Sequence, residues 1–477
     1  MGPILIKKAL PYRRIEDLSI LHIGERRLFL NESGTAIWEQ IDGKRSANEI
    51  VEKIVQQRQE SLKSAKLIAA QINQFLNSLV QLTLIEEQGS TGPRENASAF
   101  QSTPTPMPLR DGQDFGAKPA QDVCVTARNR GAWSVKSAAE KDKPPTVEDR
   151  LNDLCWEKFY IQKMHLELTY RCNFRCIQCY NTTHAGTDTE LKLEEWESVL
   201  QQLSEMGCHS VTFTGGEIFV RKDAIEILRT ACRNGFSFRI NTNGSLIDER
   251  MLEKLEPLRA FIQSFDVSFY GATPLVHDTL ARRLGGYQAT LRAVKLLAGA
   301  KMNLLTKFVT MKDNFDGLTK WKNDMRELGV KHTVATGTLI PRTNRDAAPL
   351  VQLLTDAQYK ELLELQPSQG DGGAHFCRPG QIRGAITPDG GVSPCEWLTD
   401  FKFGNIKEQP LQEIWHSTKS QEFRNIFQED SECPSCDLRP GCSRCPAHSY
   451  LETGNLLHCA PTPRHYAELN KQAGRTH

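Results

Sequence analysis

Net charge is almost absent from this chain. Its 59 lysines and arginines stand against 58 aspartates and glutamates, leaving +1 over 477 residues. So even a balance gives no electrostatic reason to expect a nucleic acid or a membrane surface as partner. Long apolar runs are missing too. None approaches the roughly 18 residues of a membrane-spanning helix, and the N-terminal MGPILIKKALPYRR has neither the apolar core nor the cleavage site of a signal peptide. The expectation is a soluble, cytoplasmic protein. Cysteine is absent from residues 1–123 although the chain has 14, and seven crowd into Cys377–Cys459. In a large chain without a signal peptide, clustered cysteines bind metal more often than they pair as disulfides.

What is present is organised in blocks. Residues 1–88 read as a small module. Short apolar segments around Gly24 and Glu25 within Leu18–Asn31 predict a β-hairpin, and helical spacing follows over Ser33–Ile41, Ala47–Gln57 and Ile68–Leu84. From Glu87 to about Pro145 the composition turns to Gly, Ser, Thr and Pro, too poor in large apolar residues to offset the entropy of ordering. Residues 89–150 are therefore expected to be a linker, with Cys124 an idle thiol inside it. From about Leu151, strand signals at 163–168, 210–214, 236–241, 263–269, 303–310 and 332–338 alternate with helical patterns such as Leu193–Met206, Ala224–Cys232, Ala289–Leu297 and Leu318–Leu328. Such alternation calls for an α/β fold with a parallel sheet and outer helices.

Just after the apolar stretch Met164–Leu168 comes Cys172-x3-Cys176-x2-Cys179. Thiolates are the usual holders of iron–sulfur clusters, and three of them leave one iron of a cubane without a protein ligand. A structural zinc site wants four closed ligands, and no fourth Cys or His completes that pattern, although His184 lies close by. The next strand signal, Val211–Thr214, runs into Gly215, Gly216 and Glu217. The glycines let a ligand approach the backbone, and the carboxylate is able to meet an ammonium group.

Together these motifs resemble the radical S-adenosylmethionine (SAM) enzymes. The resemblance implies a partial (β/α)6 TIM-type barrel over 151–345, with a [4Fe–4S] cluster on Cys172, Cys176 and Cys179. The open iron of that cluster would chelate the methionine end of SAM, with Gly215, Gly216 and Glu217 holding the amino group. One electron, from a donor such as flavodoxin or ferredoxin, would then release a 5′-deoxyadenosyl radical that abstracts hydrogen from the substrate. Gln178 departs from the aromatic or His often found before the third cysteine. At the strand ends that gather chemistry in such barrels, Asn241 and Asn243 can bond a ribose or simply form a turn. By resemblance, Ser268 and Arg282 would meet the SAM ribose or carboxylate.

The last hundred residues hold Cys377, then Cys395 preceded by Gly390, then Cys433-x2-Cys436-x5-Cys442-x2-Cys445, and finally Cys459. Paired C-x2-C units suit two zinc knuckles or a cluster. The spacing resembles the SPASM domain, departing in having two rather than three residues between Cys442 and Cys445. Over 346–477 that family implies two auxiliary [4Fe–4S] clusters: an outer one on Cys433, Cys436, Cys442 and Cys459, and an inner one on Cys377, Cys395 and Cys445. The inner set is one cysteine short, so either a group such as His375 completes it or an iron stays open to a substrate thiolate. Glu396 stands where some SPASM enzymes carry an acid acting as base. In the N-terminal module, Gly34-Thr-Ala-Ile-Trp38 and Ile41-Asp-Gly43 resemble the PqqD-like RiPP recognition element, which adds a precursor's leader peptide as a strand to its sheet edge. The resulting expectation is a peptide-modifying enzyme with three [4Fe–4S] clusters that forms an intrapeptide crosslink, C–S favoured over C–C. A sulfatase-maturing type of side-chain oxidation and a non-catalytic scaffold are the alternatives.

Overall fold

The computed structural model describes residues 4–16, 18–23, 26–57, 62–88, 125–126, 147–336, 339–365, 377, 379–427, 433, 436–442 and 444–474. Most of the expected linker, Cys124, the turn at Gly24 and Glu25, and His375 lie outside them. The chain forms two compact units, Met1–Arg128 with Pro145–Asp153, and Asn129–Pro144 with Leu154–His477.

In the first unit, β1 (Ile4–Lys7) pairs antiparallel with β5 (Ile85–Gln88). The strands β2 (Tyr12–Ile15), β3 (Leu18–Ile23) and β4 (Arg26–Leu30) form an antiparallel sheet, to which the two residues of β6 (Val125–Thr126) add beyond β4. The expected hairpin is thus the β3/β4 pair, with Ser19 opposite Leu30 and Ile20 opposite Phe29. Helix α1 (Glu32–Gln40) starts where the Asn31 side chain accepts the Gly34 amide at 2.9 Å. Helix α2 (Ala47–Gln57) starts where Glu49 accepts the Ser46 amide at 2.8 Å. Both are N-terminal caps that satisfy amides the helix itself leaves unpaired. Their apolar stripes, Ile37, Trp38, Ile50 and Ile54, close with Ile72 and Leu76 of α3 (Leu62–Gln81) over Leu21, Leu28 and Leu30.

Helix α4 (Val147–Lys158) spans the boundary between the units at Asp153 and Leu154, and in the second unit six parallel strands follow in sequence order: β7 (Lys163–Thr169), β8 (Ser210–Gly215), β9 (Ser237–Thr242), β10 (Ile262–Phe269), β11 (Leu304–Val309) and β12 (His332–Thr336). Between them run α5 (Leu193–Glu205), α6 (Ala224–Arg233), α7 (Glu249–Leu255), α8 (Pro274–Ala281), α9 (Gly286–Gly299) and α10 (Leu318–Glu327). This is the expected six-stranded α/β barrel architecture. After α11 (Asp356–Leu365), the sheet continues on the far side of β7. There β13 (Arg383–Ile386) pairs parallel to β7, β14 (Gly391–Ser393) pairs antiparallel to β13, and β15 (Gly404–Asn405) closes the edge. The helices α12 (Leu411–Trp415), α13 (Thr418–Asn425), α14 (Pro446–Thr453) and α15 (Pro461–Gln472) follow. Sheet and apolar core both run on across residues 345 and 346, since Leu411, Ile414 and Trp415 belong to the same buried cluster as Leu166 and Trp196.

Side chains alternate across a strand. Met164, Leu166 and Leu168 of β7 therefore join the layer beneath the helices with Val199, Leu200 and Phe213, while His165, Glu167 and Thr169 face the other way. No helix among the described residues is long and apolar enough to cross a membrane. Phe213 is fully buried, its ring 5.3 Å from that of Phe238 on the neighbouring strand. Phe213→Ala is expected to lower unfolding stability by about 3–5 kcal/mol through lost transfer energy and the cavity left behind. A denaturant titration of the cluster-free protein measures it.

Candidate active site

Strand β7 delivers its chain into a loop that holds three cysteines. Within it the Cys179 amide donates to the Cys176 carbonyl at 3.2 Å, and the Arg175 and Ile177 amides donate to the carbonyls of Ala281 and Leu280 at 3.0 Å each. The loop is therefore fastened to the C-terminal end of α8. Cys172, Cys176 and Cys179 are all free thiols. Burial pushes the Cys172 thiol up to about 11, aided by Glu217 and Cys179. Burial and then Cys179 drive Cys176 higher still, and burial also raises Cys179. Neutral thiols gathered this way fit a cationic iron centre, which would hold them as thiolates. Two buried acceptors nearby, Gln178 Oε1 and Asn241 Oδ1, have no partner in the protein. They suit the donors of a bound nucleoside. Among the described residues no three His, Cys, Asp or Glu side chains are placed to hold a metal ion.

The glycines at the end of β8 are required by close approach. A Cβ on Gly215, which has φ +124°, would stand 2.4 Å from the Thr169 carbonyl oxygen, and one on Gly216 would stand 2.3 Å from that of Arg171. The Gly216 and Glu217 amides donate to those same carbonyls at 2.7 and 2.9 Å. Backbone thus meets backbone where the cysteine loop begins. Glu217, the acid expected to help hold the amino group of SAM, is itself held by the surrounding loops. It is fully buried and accepts from the Thr242 hydroxyl at 2.8 Å, the Asn243 amide at 2.8 Å and the Phe219 amide at 3.3 Å. Burial still raises its pKa. Its carboxylate ties the end of β8 to the end of β9. Asn243 is similarly engaged, its amide nitrogen donating to Asn173 in the cysteine loop and its oxygen accepting from Ser245. Ser268 is half-buried near the C-terminal end of β10, and Arg282 is exposed at the left-handed cap of α8, φ +48°, beside the loop.

The C-terminal cysteines fall into two groups. Cys433, Cys436, Cys442 and Cys459 line one hollow together with Cys445, Arg439, Arg444 and Arg464. Burial, then Cys459, Cys433 and Cys436, push Cys442 up to about 11. The second group is Cys377, Cys395 and Cys445. Cys377 foremost raises the pKa of the Arg383 guanidinium, and Cys395, Glu396 and Cys445 act in the same direction. Burial and then Cys377 push Cys445 up to about 12. Glu396 accepts from the Cys395 thiol at 3.3 Å and faces His165 Nδ1 on β7, also at 3.3 Å. Burial works against its ionisation, but His165, its own backbone amide and Cys395 hold the carboxyl below the ordinary range.

Sequence reasoning passed over Glu167, Tyr170, Tyr180, His165 and Arg383. The signal was there for Glu167: it is the one acid in a strand otherwise read as apolar. It is fully buried, with the Tyr170 hydroxyl 3.2 Å from one carboxyl oxygen and the Tyr180 hydroxyl 3.1 Å from the other. Burial, then Glu396, push its pKa up to about 8.

Comparison with known proteins accords with this geometry. The model of the "Radical SAM superfamily" matches residues 166–319, that of the SPASM "Iron-sulfur cluster-binding domain" residues 377–446, and that of "Coenzyme PQQ synthesis protein D (PqqD)" residues 19–85. The chain is 28% identical over 329 residues to a PqqA peptide cyclase of Granulibacter bethesdensis, covering 63% of this chain and 87% of that protein. It is 25% identical over 337 residues to an AdoMet-dependent heme synthase of Methanosarcina barkeri, covering 62% and 94%. Its fold is similar to that of Streptococcus suis SuiB bound to precursor peptide SuiA, with TM-score 0.54, 14% identity and coverage of 95% and 98%. A parallel barrel whose first strand ends in the cysteine loop and whose second ends in the two glycines is a radical SAM enzyme, for which [4Fe–4S] clusters and SAM are the implied cofactors. Within that class the chain carries, in addition, the matches to the SPASM and PqqD models and the similarity to a PqqA peptide cyclase.

Gly216→Ala is expected to cost on the order of 1–3 kcal/mol in the cluster-free protein, because the added carbon meets backbone and not a yielding side chain. Denaturant unfolding checks the stability, and reduced iron uptake on reconstitution checks the displaced loop.

Proposed function

We propose that this enzyme modifies a ribosomally made precursor peptide. The observation that carries the reading is the presence, in one chain, of a PqqD-type module and of the three-cysteine loop set against Gly215 and Gly216. The similarity to a PqqA peptide cyclase supports a peptide as substrate. Cys172, Cys176 and Cys179 would hold the SAM-binding cluster, while the outer and inner groups of C-terminal cysteines would hold two auxiliary ones. When bound at the first site, the cluster and SAM would supply radical chemistry for abstraction of hydrogen from a Cα or Cβ of the core peptide. Gly215, Gly216, Glu217, Asn241, Asn243, Ser268 and Arg282 would orient SAM, with Glu217 and Asn243 steadied by their bonds to Thr242, Asn173 and Ser245. The leader is held by residues 1–88, and flavodoxin or ferredoxin supplies the electron.

Glu396, whose carboxyl His165 helps hold below the ordinary range, would accept the proton released when a substrate radical passes its electron to an auxiliary cluster. Three cysteines in the inner group leave a position for a substrate thiolate, which favours a thioether over a C–C bond. Oxidation of a protein side chain is the second reading, and the N-terminal module weighs against it.

Anaerobic reconstitution should give about 12 iron per chain, the content of three cubanes, and dithionite with SAM should yield 5′-deoxyadenosine. Replacing Cys172, Cys176 and Cys179 together by Ala should remove about four of those irons and all 5′-deoxyadenosine. Zinc in place of iron, with no SAM cleavage, would overturn the reading. Glu396→Gln is expected to lower product yield by about tenfold or more while 5′-deoxyadenosine release persists, as for loss of a general base. Unchanged product at unchanged iron content would dismiss that role. If the inner group binds substrate sulfur, a Cys-containing precursor peptide should alter the Mössbauer spectrum and its Cys→Ser version should not.

A further inference from the structure

Glu167 is a buried acid for which the proposed reaction has no use. Taking a carboxyl group out of water is costly unless it gains strong partners, and an apolar residue would pack this position of the strand at no such cost. Its two partners are not spread over the fold. Tyr170 lies two residues before Cys172, Tyr180 directly follows Cys179, and each hydroxyl takes one of the two carboxyl oxygens, at 3.2 and 3.1 Å. A single side chain on β7 thus grips the cysteine loop just outside both of its ends.

Further contacts of the two tyrosines lead outward from the loop. The Tyr170 amide donates to Glu190 Oε1 at 3.2 Å, and the Tyr180 carbonyl accepts from the Thr343 amide at 3.0 Å. The Tyr180 ring meets Trp397 edge-on, with centroids 6.4 Å apart and planes at 67°. Trp397 lies two residues beyond Cys395 in the inner group.

We propose that Glu167 is a positioning residue that clamps both ends of the cysteine loop, and through Tyr180 sets that loop against the segment carrying the inner cysteine group. The proposal rests on the reading that Cys172, Cys176 and Cys179 hold the SAM-binding cluster. With both carboxyl oxygens engaged by its own loop, Glu167 acts through the tyrosines and not on substrate. Closing a loop at both ends removes backbone freedom that would otherwise let three ligands drift apart. The clamp therefore governs how firmly iron is held and how the open iron presents itself to SAM.

The test uses the full-length, anaerobically reconstituted protein, with no precursor peptide needed. Iron per chain, the rate of iron release to a chelator, and the EPR spectrum of the reduced protein with and without SAM are compared among wild type, Glu167→Ala, Glu167→Gln, Tyr170→Phe and Tyr180→Phe. Glu167→Ala should lose about four irons, one cubane's worth, together with the SAM-induced EPR change. Glu167→Gln, which keeps an acceptor for one tyrosine, should retain iron and recover part of that change. Each Tyr→Phe variant should release iron about threefold faster or more, as expected of a locally loosened segment, and shift the SAM-dependent signal. Wild-type iron content, release rate and SAM-induced spectrum in Glu167→Ala would overturn the clamp. If Glu167→Ala does not fold, wild-type behaviour of both Tyr→Phe variants would overturn it instead. A wild-type protein whose EPR spectrum ignores SAM would take down the cluster assignment itself, a result distinct from a clamp that fails.

Discussion

Strand β7 is the constraint on which the site depends. It is hydrogen-bonded on one side to β8 and on the other to β13, with Leu166 in register with Phe213 and with Ile386. Its C-terminal end opens into the first cysteine loop. Its neighbour β13 begins at Arg383, beside the inner cysteine group, and His165 on its inner face meets Glu396. One strand thereby sets the distance between the first cysteine loop and the inner cysteine group. A slip of one residue in its register would turn His165 and Glu167 into the apolar layer under the helices and Leu166 into the barrel. The penalty for burying an unpaired acid there protects the register.

The inner face of the sheet is polar by the same alternation. Asp266 on β10 is almost fully buried between Lys307 Nζ at 2.7 Å and Arg239 Nη1 at 3.7 Å, with Ser264 at 2.5 Å. Carboxylates and cations on neighbouring strands satisfy one another without filling the space as a packed apolar core would. The outer face carries the stability instead, in a continuous apolar layer that includes Trp196, Phe213, Phe238, Phe265 and Trp415. The division leaves the helices and the apolar layer beneath them to hold the sheet.

Much of the architecture was legible in residue pattern. The six strands of the barrel fall within a few residues of their apolar segments, and the helices between them follow the 3.6-residue spacing, because both signals arise from which face each element buries. The cysteine triplet and the two glycines were legible as well, since ligation and close backbone approach each restrict the residue types that serve. Glu217 and Asn243 illustrate what pattern does not carry. The structure shows the Glu217 carboxylate bonded to Thr242 on the neighbouring strand and the Asn243 side chain to Asn173 in the cysteine loop, partners far away along the chain. Glu167 was overlooked for the converse reason: a lone acid in an apolar strand has meaning only once Tyr170 and Tyr180 are seen to reach it.

Sequence by itself determined the periodicities of strand and helix and the identities of the cysteines, because these depend on residues close together along the chain. Tertiary structure decided the pairing of distant groups. It placed Cys445 with Cys377 and Cys395 as well as at the rim of the outer hollow, set Glu396 against His165, and turned the oxygens of Glu217 inward and those of Glu167 toward the two tyrosines. Those contacts depend on strand register and on the packing of loops from different strand ends, and neither is encoded in local spacing.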